Sequence, residues 1–295
     1  MKVKFWGVRG SIPSPGPLTV RYGGNTTCIE VRSDENRLII LDAGTGIFAL
    51  AQQLLRELPV VANVFITHSH WDHIHGLPFF TPLFIPGNTL RIHGAPDLVS
   101  GEGIDRVMAV QLQYSYFPVR EAEMKAGIEY ETLRPGQSVI VGDATITTSE
   151  MSHPVTDFGY RVDCNGKSVF FTGDHEPYSN IYEPTDDGYA EYQSIMSERQ
   201  AELDLAMQGV DVLIVDSSYT REEFEGKKGW GHGHFDSSIE MAIRVGAKRL
   251  YCTHHEPTRS DDELEAVFAQ ALARHESKLN GLSVHLAREG LELEL

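Results

Sequence analysis

An apolar, β-favouring run (Val60, Val61, Val64, Phe65, Ile66) stops abruptly at His68-Ser69-His70-Trp71-Asp72-His73, three imidazoles and a carboxylate within six residues. The run has the character of a buried strand, and Gly76-Leu77-Pro78 marks where regular structure has already broken. The polar cluster is therefore expected on a loop at a strand end, where rigid scaffolds hold working residues. Neutral imidazole and ionised carboxylate are ligands that Zn²⁺ and similar divalent metals prefer. An idle His-rich loop is the bland alternative, and four ligand-type side chains directly after a buried strand weigh against it.

The rest of the chain fits strands alternating with helices. Val3–Val8, Thr27–Val31 and Leu38–Leu41 have strand character, the first two separated by Gly- and Pro-rich loops. Asp42-Ala43-Gly44-Thr45-Gly46 leads into a helix whose apolar residues Ile47, Leu50, Ala51, Leu54, Leu55 and Leu58 fall at helical spacing. Strand, Gly-rich turn and helix also suit phosphate binding, but this one matches neither a dinucleotide fingerprint nor a P-loop, so a tight structural turn is the better reading. Leu90–His93, Ser138–Val141, Ala144–Met151, Tyr160–Cys164, Ser168–Thr172, Val212–Val215, Arg249–Thr253 and Leu282–Ala287 are further strands. Helices are expected near Asp105–Val110, near Ser197–Met207, from about Ser237, and from a capping box at Ser260–Glu263. Residues of about 95–126, with the aromatic cluster Tyr114–Phe117, could form a lid or a satellite helix. Residues of about 177–192 look like an inserted loop. No linker or short repeat interrupts residues 1–295, which are expected to form a single domain of two packed sheets with helices outside.

Charge and cysteine content narrow the function. Lys plus Arg number 25 against 42 Asp plus Glu, a formal charge of −17. That disfavours a protein that tracks long nucleic acid through a basic field, although bound dications would reverse the local sign for a small anionic substrate. The three cysteines, Cys28, Cys164 and Cys252, are scattered with no CxxC pair, and no apolar run approaches a membrane span. A cytoplasmic protein with reduced thiols is expected.

Three isolated polar positions repeat the strand-end pattern. His153 follows Ile146–Met151, Asp174 follows Val169–Gly173, and His254 and His255 follow Leu250–Thr253. Singly each suits a hydrogen-bonded turn. Together with the first cluster they supply enough N and O ligands for two metal ions.

The ordered series His68-x-His70-x-Asp72-His73, His153, Thr172-Gly173-Asp174 and Thr253-His254 resembles the metallo-β-lactamase superfamily of metallohydrolases. The resemblance implies an α/β fold, the four-layer αβ/βα sandwich, with the site along the edge between its sheets. It implies two divalent metal ions (zinc, with manganese or iron as alternatives), one held by His68, His70 and His153, the other by Asp72, His73 and His254, with Asp174 bridging. Phe5–Ser11, Tyr22–Thr26, Leu41–Gly46, Asp174-His175-Glu176-Pro177, Gly229-Trp230-Gly231-His232 and His254-His255-Glu256-Pro257 resemble the phosphodiesterase branch, which holds tRNA 3′-end endonucleases and cyclic-nucleotide phosphodiesterases. Gly231–Asp236 departs from the Gly-His-Ser-Thr-like element of that branch.

A shared hydroxide between two dications, oriented by Asp72, would attack a phosphodiester in line. His232 or His234, before a helix N-terminus, is the expected proton donor, and sequence does not choose between them. His175 and His255 are expected to line the pocket or to hold the ligands from behind, and His75, His93, His275 and His285 to be structural or superficial. The expected substrates are small phosphodiesters, cyclic nucleotides foremost. The alternatives are a thioester or lactone hydrolase, a tRNA 3′-processing endonuclease, and a non-catalytic nucleotide sink. A homodimer is implied by the resemblance alone.

Overall fold

The computed structural model describes residues 1–97 and 99–295. In its first half β1 (Lys2–Gly7), β2 (Cys28–Arg32), β3 (Leu38–Leu41), β4 (Val61–Ile66), β5 (Thr89–Gly94) and β6 (Gly127–Thr132) lie side by side. The second half builds another sheet from β7 (Ser138–Val141), β8 (Ala144–Glu150), β9 (Phe158–Cys164), β10 (Lys167–Phe171), β11 (Val212–Asp216), β12 (Arg249–Thr253) and β13 (Ser283–Leu286). The last strand, β14 (Glu292–Glu294), returns to pair antiparallel with β1. Each sheet is part meander, part parallel: β3 to β6 run parallel in the first, β10 to β13 in the second.

Helices cover both outer faces. They are α1 (Gly46–Leu54), α2 (Trp71–Ile74), α3 (Ile104–Gln111), α4 (Tyr189–Met207), α5 (Arg221–Phe224), α6 (Phe235–Val245) and α7 (Asp261–His275). The parallel strands read as unbroken apolar runs because both of their faces are buried. In β3, Ile39 and Leu41 face the other sheet, while Leu38 and Ile40 face the helix layer. In β11, Val212 and Ile214 face inward, and Leu213 and Val215 pack under the helices with Leu203, Ile239 and Leu264. Helix, sheet, sheet, helix: four layers with three cores. The expected fold class is the one observed.

Several boundaries differ from the expectation. The strand β6 (Gly-Ile-Glu-Tyr-Glu-Thr) has no sequence signal, because an exposed edge strand needs charge more than apolar side chains. Helix α4 begins at Tyr189, inside the stretch expected to be loop; it buries only Met196, Leu203 and Met207, too thin a stripe to declare itself. Helix α6 opens at Phe235 rather than Ser237. His234 is its N-cap, accepting from the Ser237 N–H at 3.2 Å. Within 95–126, α3 packs Ile104 and Met108 into the outer core, and the Gln111 amide donates to the Ile74 carbonyl.

Candidate metal centre

The C-terminal ends of parallel strands are where open α/β sheets expose loops to a ligand. Here β4 delivers His68, β10 delivers Asp174, and β12 delivers His254, while the loop after β8 brings His153. The two sheets are tied beside this edge. The Tyr160 hydroxyl donates to the Ile66 carbonyl at 2.6 Å, and the Phe158 N–H to the Thr67 carbonyl at 3.0 Å. The histidine stretch is not wholly a loop, for Trp71–Ile74 forms one helical turn. The glycine turn after β3 clamps that turn: Ala43 N–H donates to the His73 carbonyl, and Gly76 N–H to the Ala43 carbonyl. A Cβ on Gly44 would lie 2.3 Å from the Asp72 carbonyl oxygen, so only glycine permits the approach.

Two groups of ligand atoms that share Asp174 result, each within 4.8 Å: His68, His70, His153 and Asp174, and Asp72, His73, Asp174 and His254; a third, Asp174, Asp216, His232 and His254, overlaps the second. Asp174 faces both. Its Oδ1 lies 3.2 Å from His73 Nε2 and 3.2 Å from His254 Nε2, and its Oδ2 lies 3.6 Å from His68 Nε2 and 4.0 Å from His153 Nε2. Ligand atoms about 2.0–2.1 Å from a tetrahedral zinc stand about 3.3 Å from one another, which these separations approach. Burial supplies a second test. His68 Nε2, His73 Nε2 and Asp174 Oδ1 are buried and lack any hydrogen-bond partner. Such orphans cost about 1–3 kcal/mol each unless something binds them. The donor set and its orphans fit a dinuclear metal site.

The imidazoles are held from behind, which fixes which nitrogen faces the centre. His73 Nδ1 sits 2.7 Å from Asp42 Oδ2. His68 Nδ1 sits 3.3 Å from Asp157 Oδ2, and His153 Nδ1 sits 2.9 Å from the Gly231 carbonyl. His254 Nδ1 sits 2.9 Å from the Ser218 hydroxyl. His70 differs, presenting Nδ1 at 3.1 Å from His153 Nε2. The Ser11 backbone N–H donates to Asp72 Oδ2 at 2.7 Å. Asp42 and His254 both hold left-handed backbone, φ 63° and 57°, local strain of the kind found at working sites.

Electrostatics separate the two groups. Burial pulls His68, His70 and His153 below their usual range, which favours the neutral form that metal ligation would require. Burial pulls on His73 and His254 too, but Asp174 and the other carboxylates outweigh it, raising His73 well above its ordinary value and His254 to about 9. That half of the centre draws positive charge.

The remaining expected residues separate. His232 joins the centre, with Nδ1 2.9 Å from Asp216 Oδ2 and 3.6 Å from Asp174 Oδ2, and it lines a cavity of about 440 Å³ with Ser11, His70, Trp71, Asp72 and Asp174. His234 does not. Its ring caps α6 and packs 4.9 Å from Phe224, because the helix start uses its Nδ1. His255 is buried against the Ala287 carbonyl at 2.8 Å, away from the cavity. His175 is buried with its Nδ1 accepting from the Ser152 N–H, and only its backbone N–H, donating to Asp216 Oδ2, reaches the centre's supports. His275 pairs with Asp236, and His93 stacks on Phe65.

Sequence reasoning assigned no role to Asp42, Asp157, Asp216 or Glu176. Asp42 and Asp216 stand at the ends of apolar strands, the same signal as Asp174, and could have been found. Asp157 carries no such mark. Glu176 accepts from Gly229 N–H at 2.8 Å and from Gly231 N–H at 2.7 Å, which holds the loop that supplies both the His153 partner and His232.

The family model for the beta-lactamase superfamily domain matches residues 37–255, and the chain belongs to that superfamily. Ribonuclease BN of Cronobacter sakazakii is 24% identical over 309 residues, covering 92% of this chain and 95% of that protein. Among solved structures, the metallo-beta-lactamase fold protein YhfI of Bacillus subtilis has a TM-score of 0.67 at 20% identity, with 99% of each chain covered. A diphosphatase of the PhnP family has a TM-score of 0.63 at 20% identity, with 100% of this chain and 97% of that one covered.

Proposed function

We propose that this chain is a dinuclear metal-dependent hydrolase of small phosphodiesters, cyclic nucleotides foremost. The observation that carries the reading is Asp174, set between two groups of ligand atoms and beside a cavity-lining histidine that is backed by its own carboxylate. His68, His70, His153 and Asp174 would hold one ion, and Asp72, His73, His254 and Asp174 the other. Divalent ions, zinc in the first instance, supply Lewis acidity toward a phosphoryl oxygen and lower the pKa of bound water.

The chain's own groups do the rest. Asp72, with Oδ2 held by the Ser11 N–H and 3.1 Å from His254 Nε2, would orient the attacking water. Burial is outweighed by His73 and His254, which hold its carboxyl well below the usual range, so it stays ionised and the water's proton leaves to bulk solvent. His232 donates from Nε2 to the leaving oxygen as the P–O bond breaks. Asp216 fixes its other nitrogen, and burial is outweighed by Asp216 and Asp174, which raise its pKa above the usual value and favour the protonated, donating form. No Lys or Arg lines the cavity among the described residues, which suits one phosphodiester better than a polynucleotide backbone.

Ribonuclease-named relatives favour a second reading, cleavage of tRNA 3′ ends. Thioester or lactone hydrolysis remains a chemical alternative at such a centre. Three buried free cysteines support residence in the cytoplasm, and among the described residues no helix is long and apolar enough to cross a membrane. The test supplies metal-loaded protein with cyclic AMP, cyclic GMP, a precursor tRNA and an acyl thioester, with Asp72→Ala as control. Conversion of a cyclic nucleotide to its monophosphate, lost in the control, is expected. Cleavage of the tRNA or the thioester alone would replace the substrate class.

A further inference from the structure

Trp71 stands between His70 and Asp72 in the sequence and opens α2, where the His75 N–H donates to its carbonyl at 2.6 Å. Its backbone is thus as fixed as the ligands on either side. Its side chain is 79% exposed, while Asp72 and His73 beside it are buried. A tryptophan ordinarily buries a large apolar face. Of the side chains lining the cavity of about 440 Å³, Trp71 alone carries a large apolar ring among the described residues. The other two tryptophans are engaged: Trp6 donates its indole N–H to Glu30 with Lys4 over its ring, and Trp230 lies near Lys227. No ring or cation packs on Trp71 among the described residues. The Ser11 segment, which lines the same cavity and is held on Asp72, carries a second exposed apolar side chain next in sequence, Ile12 at 59%.

A lone exposed apolar residue needs no explanation. Placement makes this one different, for it is the neighbour in sequence of two ligand candidates, on a rigid turn, at the cavity's lip. A phosphate held at those ligands would carry its sugar and base outward past that lip. Among the described residues the cavity lining has no Lys, Arg, Asn or Gln. Apart from the ligand candidates and His232, which are turned to the phosphoryl chemistry, it offers a base the hydroxyls of Ser11 and Ser69 and the face of Trp71, and only that face gives a broad contact. Every nucleobase has a π-face, and stacking on an aromatic side chain tolerates any base.

We infer that Trp71 is a specificity-determining residue, whose indole face is the platform for the base of a mononucleotide-like substrate. The inference rests on the phosphodiesterase reading and narrows it to substrates bearing an aromatic base one sugar away from the phosphate.

The test compares wild type, Trp71→Ala and Trp71→Phe as zinc-loaded proteins, with metal content matched to show that α2 is intact. Binding of thymidine 5′-monophosphate and of methyl phosphate is measured by calorimetry. Hydrolysis is measured on thymidine 5′-(p-nitrophenyl phosphate) and methyl p-nitrophenyl phosphate. Trp71→Ala is expected to weaken thymidine monophosphate binding about tenfold and leave methyl phosphate unchanged, with Trp71→Phe retaining most of the affinity. In hydrolysis, the loss should fall on the KM of the thymidine ester and spare kcat, since a stack is made equally before and during the reaction. Equal weakening of both ligands, or no change in either, overturns the inference. Hydrolysis of neither ester by the wild type, alongside nucleotide binding that depends on Trp71, would discard the phosphodiesterase reading and leave the base platform standing.

Discussion

Two concave regions lie at opposite ends of the parallel strands, and the larger one has none of the marks of chemistry. At the strand starts, a groove of about 710 Å³ is lined by Lys2, Arg32, Arg37, Glu35, Glu57 and others. Its charges answer one another: Arg32 reaches Glu30 at 2.6 Å and Glu57 at 2.8 Å, and Arg37 reaches Glu35 at 3.2 Å. None of its lining residues has a buried polar atom without a partner, among the described residues. At the strand ends, the smaller cavity borders Asp174, whose Oδ1 is orphaned along with His68 Nε2 and His73 Nε2. Volume measures how sheets splay. Orphaned buried atoms occur elsewhere, at Gln111 and His275 among others, but here three of them belong to one set of ligand-type side chains, and that convergence is what points to a bound group.

The largest expected effect is at Asp174, the carboxylate that stands between the two groups of ligand atoms. Asp174→Ala should leave fewer than two metal ions per chain and lower hydrolysis by more than about 10³-fold, beyond the 10–100-fold typical of a ligand's supporting partner. Elemental analysis with a rate measurement checks it, and a fully loaded, active variant would remove the distinction between the two regions.

Next comes the pair of histidines that sequence could not separate. His232→Ala should lower turnover by about 10²–10⁴-fold with metal content kept, whereas His234→Ala should keep turnover and lose about 1 kcal/mol of stability through its helix cap. The reverse pattern would return His234 to the centre. Behind the ligands, Asp42→Asn should weaken metal affinity by about 10–100-fold while the fold persists, as read by competition with a chelator.

Smaller effects concern stability. Burial, opposed by the Ala287 carbonyl and reinforced by Arg9 and His254, pulls the His255 pKa down to about 3, and burial takes His175 to about 4. An unfolded imidazole titrates near 6.5, so below that pH the unfolded chain holds more protons than the folded one. Their contribution is whole above about pH 6.5 and is lost as pH falls toward 3–4, at up to about 1.4 kcal/mol per pH unit for each group. Replacing His255 by Gln should therefore flatten the fall of Tm between pH 6.5 and 4; an unchanged slope counts against it. Least of all, Arg37→Ala in the larger groove should change neither metal content nor rate, since an exposed pair is worth about 0–1 kcal/mol. A measurable rate loss there would make the groove more than a by-product of packing.

Much of this was legible before any coordinates. Strands β3, β4, β10 and β11 announced themselves as apolar runs because each buries both faces, and the polar residues after two of them, His68 after β4 and Asp174 after β10, stood out by contrast. Edge strand β6 and the start of α4 were silent, since exposed elements carry little apolar periodicity. Asp157 was silent for another reason. Its partners are His68 Nδ1 and the Asp174 N–H, and nothing in Val155-Thr156-Asp157 distinguishes a carboxylate that holds an imidazole from one in a turn.

The sequence by itself determined the α/β class, and it marked the chemical kind of the candidate ligands and the strand ends that carry them, because side-chain period and burial are local properties of the chain. Tertiary structure decided which atoms meet. His254 and Asp72 are 182 residues apart in sequence yet meet at 3.1 Å, Nε2 to Oδ2, through the register of two sheets locked together at Tyr160 and Phe158. It also decided that His232 faces the centre while His234 caps a helix, since one imidazole found Asp216 and the other the Ser237 N–H. Hydrogen-bond partners are chosen by proximity after packing, and proximity across layers is not written in spacing along the chain.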